Sequence, residues 1–385
     1  MTASVSSPSR SFWIDALKGL ACMTIVWHHL AFYGPMSDVA AQATPALIGW
    51  LSEYGRIAVQ VFLVMGGYLA AASLMPEGLA REGSSLERIG KRAMRLMAPY
   101  SVALLLAVLA AALVRPWFGH DSVPGQPSWH QLIANVLMLQ DVTHEEALSA
   151  GVWYVAIDFQ LFAATVLLLA AVRRLAPVSG PGLKGLTWAQ GLVILATALS
   201  LLYFNLHAEW DMWFFYFMGS YGLGMLACWG QRSARPWAWT ALLLALGLGA
   251  LELEFRLRIA VALATAVALL WVMRLDGAGQ ASGRMAWRQW APMRWLLALG
   301  QMSYSVFLVH FSVILLANAA MSHWFPAGPG WNWLGMLATF AASLAVGSLL
   351  YRVVETHAPN WRYLVRLGLG FVSTGLLVSL VSSRL

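Results

Sequence analysis

Residues 13–34 read WIDALKGLACMTIVWHHLAFYG, the length and character of a membrane helix interrupted by Asp15, Lys18, His28 and His29. An ionisable side chain at the centre of a bilayer costs about 2.5–3.5 kcal/mol on insertion scales, so such residues persist where they line a wet cavity or pair with one another. The stretch is too long and too charged for a cleaved signal peptide, and no small-residue cleavage site follows it. It reads as a first transmembrane span with polar work to do.

Outward from it, the chain keeps the same character. Of its 385 residues 60% are apolar and 11% charged, against about 45–50% and 25% in soluble domains. Apolar runs recur near 14–34, 54–75, 96–114, 151–172, 187–206, 212–229, 237–251, 256–273, 295–318, 332–354 and 364–381. They are continuous rather than alternating, which selects helices over a barrel. The expectation is an all-α polytopic bundle of about 10–11 transmembrane helices. It forms one domain over 1–385, with 1–12 as a short tail and 364–385 able to supply a last span. The runs at 237–251 and 256–273 are short enough to form a hairpin or tilted elements.

Charge orders the loops. Arg81, Arg88, Lys91, Arg92 and Arg95 follow the second span, Arg173, Arg174 and Lys184 the fourth, Arg232 and Arg235 the sixth, and Arg274, Arg284, Arg288 and Arg294 the eighth. Alternate loops carry Asp38 and Glu53, then Asp121, Asp141, Glu145 and Glu146, then Glu209 and Asp211, then Glu252 and Glu254. Positive residues stay inside, so the N-terminus and basic loops are expected in the cytoplasm of a cell whose inner membrane holds the chain. The net charge of +7 then reflects topology and anionic lipid headgroups, not nucleic acid. Cys22 and Cys228 both fall in apolar runs, which argues against a disulfide or metal framework. The segment 115–150 contains WHQLIANVLMLQ (129–140), which fits either a re-entrant or interfacial element or a plain surface loop.

Depth gathers the polar groups. At about 1.5 Å per residue His29 lies about 22 Å from Ile14, and eleven residues make three turns plus about 20°, so Lys18 and His29 share a face while His28 points aside. Asp158, entering from the opposite side, and His310, on the ninth span, reach a similar level, as does Gln60. A lone membrane histidine is as readily a packing residue. Two or three ionisable groups from separate spans at one depth point to a shared site, with His29 and Asp158 foremost.

A second constellation lies in ERIGKRAMRLMAPY (87–100), where Arg88, Lys91, Arg92 and Arg95 fall on one helical stripe running into the membrane, ahead of Pro99. Headgroup anchoring accounts for loose positive charge; a phosphate-bearing ligand accounts for the alignment. No P-loop, dinucleotide fingerprint, GxSxG or CxxC occurs, and SYGLGM (220–225) reads as a close-packing helix face.

Six stretches in order, IDALKGLACMTIVWHH (14–29), VQVFLVMGGYLAA (59–71), KRAMRLMAPY (91–100), GVWYVAIDFQLF (151–162), LGQMSYSVFLVH (299–310) and YRVVETHAP (351–359), resemble the membrane-bound acyltransferase-3 family over nearly the whole chain. The resemblance implies transfer of an acyl group, acetyl or succinyl in type, from cytoplasmic acyl-CoA to a hydroxyl of an extracytoplasmic carbohydrate or glycolipid, with no metal. It implies that His29 is the family histidine, Lys18 the first-helix base, Lys91 and Arg95 the third-helix basic pair, and Asp158 the carboxylate after the tryptophan. Lys18 and Lys91 replace arginine, Asp158 replaces glutamate, Pro99 lies one residue late, and THAP follows Val354–Glu355 where one residue and a proline are usual. On this reading His29 is general base, oriented by Asp158 or by His310. Lys18, Arg88, Lys91, Arg92 and Arg95 hold the donor, and Gln60, Ser303, Tyr304, His310 and Glu355 complete the pocket. Two other readings use the same residues. A proton-coupled transporter or flippase would use the histidine and aspartate as a relay, and a scaffold would use them for packing alone.

Overall fold

The structure is a computed structural model that describes residues 11–175, 186–277, 290–357 and 360–382. Lys184, Arg284, Arg288, the tail 1–10, Ala358, Pro359 and 383–385 lie outside the described residues, along with the expectations that rest on them. In chain order the helices are α1 (Phe12–Phe32), α2 (Pro35–Ala40), α3 (Pro45–Tyr54), α4 (Ala58–Leu74), α5 (Ser85–Val114), α6 (Trp129–Val136), α7 (Val152–Leu175), α8 (Trp188–Leu202), α9 (Phe214–Arg232), α10 (Pro236–Leu253), α11 (Leu257–Gly277), α12 (Ala291–Trp324), α13 (Pro329–Leu350) and α14 (Trp361–Ser382). No strand occurs among the described residues. The chain is an all-α polytopic bundle.

Nine stretches among the described residues are long and apolar enough to cross a membrane, counting α3 and α4 as one. Helices α1 and α9 are as long, at 21 and 19 residues, but carry more polar and small side chains. Their place in the bundle explains this. Helix α9 is buried from Tyr216 through Gly230, so it faces protein, where hydrophobicity gains little and close packing gains more. The lipid-facing α10 and α14 are the least buried spans and present Leu244, Leu248, Leu369 and Leu377 outward.

Each of the eleven apolar runs meets one long helix, and α10 and α11 are separate helices of 18 and 21 residues joined by a short turn. Helix α12 runs longer than its apolar run, 34 residues from Ala291 to Trp324. Helix α5 is one unbroken helix of 30 residues that includes Pro99. Ser84 caps it by accepting from the Glu87 N–H, so the basic stripe occupies the first turns of a spanning helix. Within 115–150, Ser128 and Gln131 form a capping box that starts α6, which packs beside α14.

Glycine brings two helix pairs into backbone contact. Gly67 of α4 lies against the Tyr221 carbonyl of α9, and Gly224 of α9 against the Val64 carbonyl of α4, so the glycines of 220–225 serve packing. Gly300 of α12 lies against the Asp15 carbonyl of α1; a Cβ there would sit 1.8 Å from that oxygen. This contact lays α1 along α12 and brings their histidines together. Gly300→Ala is therefore expected to lower the melting temperature in detergent sharply. Gly90→Ala, where an added Cβ meets nothing within 4 Å, should be neutral or stabilise by about 0.5–1 kcal/mol through helix propensity.

Candidate active site

The two ends of the bundle differ in charge, and cavities run between them. At the basic end Lys18 (α1), Arg92 and Arg95 (α5), Asp158 (α7), Ser303 and Tyr304 (α12) and Glu355 surround a cavity of about 250 Å³. Toward the acidic end a cavity of about 480 Å³ contains His28, His29 and Tyr33 on one wall, with Asp121, Ser122, Glu146 and Ser149 from the 115–150 segment opposite. Phe307 lines both. Its ring lies 5.7 Å from Tyr154, 6.5 Å from Phe62 and 5.9 Å from His310, an aromatic septum between the chambers. Gly151, at φ +77°, holds this septum closely: a Cβ there would lie 2.7 Å from the Phe307 ring.

The polar groups of α1 now have separate addresses. Lys18 lines the basic chamber beside Asp15 and Glu355, the carboxylates that act on it. His28 bonds through Nδ1 to the Leu51 carbonyl at 2.9 Å. His29 Nδ1 meets His310 Nε2 at 2.6 Å, with the two rings stacked 13° from parallel. One proton must lie between these nitrogens. The other His310 nitrogen, Nδ1, is buried and has no hydrogen-bond partner. In the tautomer in which His29 Nδ1–H donates to His310 Nε2, His29 Nε2 keeps its lone pair.

Depth alone makes Asp158 the leading partner of His29. Contact geometry differs, because Asp158 ion-pairs with Arg92 of α5, on the basic side of the septum. The carboxylate is buried, and the guanidinium also lies over the Phe162 ring. The basic stripe divides as well. Arg92 and Arg95 line the chamber. Lys91 is exposed and pairs with Glu87 at 2.6 Å, and Arg88 turns back to the Glu82 carbonyl. The chamber pair is thus Arg92 and Arg95, three apart on α5, rather than Lys91 and Arg95. Gln60 accepts from Ser220 at 2.6 Å and faces the acidic side. Ser303 donates to Gly300 within its own helix, and Tyr304 donates to the Leu96 carbonyl at 2.9 Å.

Several residues that matter here carry no sequence signal by themselves. Ser305 donates to Glu355 at 2.6 Å and fixes that carboxylate at the chamber wall. Glu355 ends a π-helical turn, Tyr351–Glu355, that continues α13; such turns redirect side chains and are frequent at functional sites. Phe307 lies one turn before His310, and Trp153 and Tyr154 flank the route from α7.

A family model described as an acyltransferase domain, that of acyltransferase family 3, matches residues 11–352. The chain belongs to this family. It is a multi-pass membrane acyltransferase, and the match spans the septum and the lining of both chambers except Glu355. No curated protein and no solved structure matches it. Within the acyltransferase, His29 lines the chamber toward the acidic end, meets His310 behind it, and is separated by Phe307 from the basic chamber.

Proposed function

We propose that the acyltransferase carries an acyl group, acetyl or succinyl in type, from cytoplasmic acyl-CoA to a hydroxyl of an extracytoplasmic carbohydrate or glycolipid, with His29 as general base. The observation that carries the reading is the His29–His310 pair at the chamber that Phe307 separates from the basic one. In a bacterial-type inner membrane the basic end would face the cytoplasm.

The basic chamber, at about 250 Å³, is smaller than the roughly 300–1,000 Å³ of ligand pockets. It suits the thin pantetheine arm and leaves the nucleotide at its mouth. Arg95 and Lys18 are the cations available to phosphate, since Asp158 already engages Arg92. The acyl thioester then reaches the septum. On the other side His29 Nε2 takes the acceptor's hydroxyl proton as the oxygen attacks the thioester carbonyl. The new C–O bond forms, the C–S bond breaks, and the thiolate leaves with the proton that His29 gives up. His310 holds the imidazole in the required tautomer and shares the charge that develops on it.

Purified protein supplied with acetyl-CoA or succinyl-CoA and a glycan acceptor should release free CoA thiol and yield an acceptor heavier by one acyl mass. The septum supplies a second test. Phe307→Trp should lower transfer at least about tenfold by obstructing the thioester, with donor affinity unchanged, whereas Phe307→Leu should keep most activity. Equal rates for the tryptophan variant and the unaltered protein would show that the acyl group takes another route.

A further inference from the structure

The His29 chamber adjoins a larger one. A cavity of about 970 Å³ at the acidic end shares Arg56, Val59, Glu146 and Trp153 with it. The walls of this vestibule carry Glu53, Asp141, Glu145, Glu146 and Asp211, with Asp121 on the His29 side. Carboxylates in outer loops are ordinary. Their convergence on one cavity without paired cations is not.

Three arginines share the vestibule, and two are committed elsewhere. Arg256 donates to Asn205 Oδ1 at 2.7 Å and to the carbonyls of Leu201, Ala250 and Glu254. Arg258 donates to the Asn205 carbonyl at 2.9 Å and lies 4.9 Å from the centre of the Tyr216 ring. Among the described residues none of the vestibule carboxylates forms an ion pair within 4.0 Å. Asp141 has a neutral side-chain partner, Gln140 Nε2 at 2.9 Å. Burial, with Asp211 adding to it, raises the pKa of its carboxyl from the ordinary value. No group of three or more His, Cys, Asp or Glu among the described residues is arranged to hold a metal ion. An organic ammonium needs one or two carboxylates and an aromatic face, and Trp153 and Tyr54 line the same cavity.

A second, independent feature marks the inner end. Ser149, on the wall of the His29 chamber, is 3% exposed and its hydroxyl has no hydrogen-bond partner. A buried hydroxyl left unpaired is costly, and a ligand hydroxyl in that chamber would satisfy it. Building on the O-acyl-transfer reading, we propose that the acceptor is an amino-sugar-class molecule. Its reacting hydroxyl lies between His29 and Ser149, and its protonated amine lies in the vestibule against Asp141 and Asp211.

The test compares an alkyl glucosaminide with the matching alkyl glucoside, at a pH where the amine is protonated, by calorimetric titration of the purified protein in nanodiscs. The unaltered protein should bind the amine probe about tenfold more tightly, and added salt should narrow the difference. Asp141→Asn with Asp211→Asn should erase the preference, while Ser149→Ala weakens both probes alike. Equal or weaker affinity for the amine, no detectable binding of it, or a preference that survives the double substitution would overturn the proposal. The comparison on the unaltered protein stands whether or not the variants fold. Failure of the O-transfer reading would register separately, as no acyl transfer from acyl-CoA to either probe.

Discussion

Substituting His29 by alanine is expected to lower acyl transfer by about 10²–10⁴-fold, the range a general base contributes, with donor binding unchanged. Lys18, Arg92 and Arg95 lie on the far side of the septum from His29, so removing the imidazole leaves those cations in place. Folding should survive, because α1 is held along α12 by the Gly300–Asp15 backbone contact rather than by this ring alone. His310→Ala should cost less, because it removes the group that orients the base and not the base itself. Its signature is a shift in the pH profile of kcat, since His29 then loses its tautomer control. Retention of full transfer by His29→Ala would rule His29 out as base.

The second large effect falls on stability. Asp158→Ala is expected to destabilise the protein by about 3 kcal/mol, because it leaves the Arg92 guanidinium unpaired within the membrane. Full burial would cost 3–5 kcal/mol, and access to the basic chamber reduces it. Arg92→Ala should be at least as damaging, since Asp158 is the more buried partner. Replacing both, with Arg92→Met and Asp158→Leu, should restore much of the melting temperature while impairing donor use. Equal stability of both single variants and the parent would mean the pair contributes nothing. The test is thermal unfolding in one detergent, with acyl-CoA affinity measured alongside.

Much of the architecture is legible from residues alone. Hydrophobic length locates all eleven long helices, because a bilayer admits few backbone solutions. Alternation of Lys and Arg with Asp and Glu separates a basic from an acidic end. Helical periodicity puts Lys18 and His29 on one face, and depth brings His29 near His310. What depth does not specify is azimuth. Asp158 reaches a suitable level, yet α7 turns it toward α5, so it meets Arg92. Periodicity likewise sets Arg88, Lys91, Arg92 and Arg95 on one stripe, but a stripe on a helix is wider than a cavity mouth. Glu87 captures Lys91 locally, and Arg88 ends on a loop carbonyl. Phe307, Ser305 and Ser149 gain their meaning from residues distant in sequence, and nothing in their own neighbourhood announces it.

The fold also answers why the first span carries four ionisable groups. Lys18 lines the basic chamber with Asp15 acting on it from the same helix, while His28 and His29 line the chamber toward the acidic end. One helix thus serves both entrances, and the glycine contact with α12 keeps its two polar regions in register with the opposite wall.

The sharpest test is sided. Protein reconstituted in one orientation into sealed liposomes receives acyl-CoA solely at its basic end and a membrane-impermeant glycan acceptor solely at its acidic end. The account predicts free CoA on the first side and acylated acceptor on the second, both abolished by His29→Ala. Acylation confined to acceptor placed on the donor's own side, or undiminished in the variant, would contradict it.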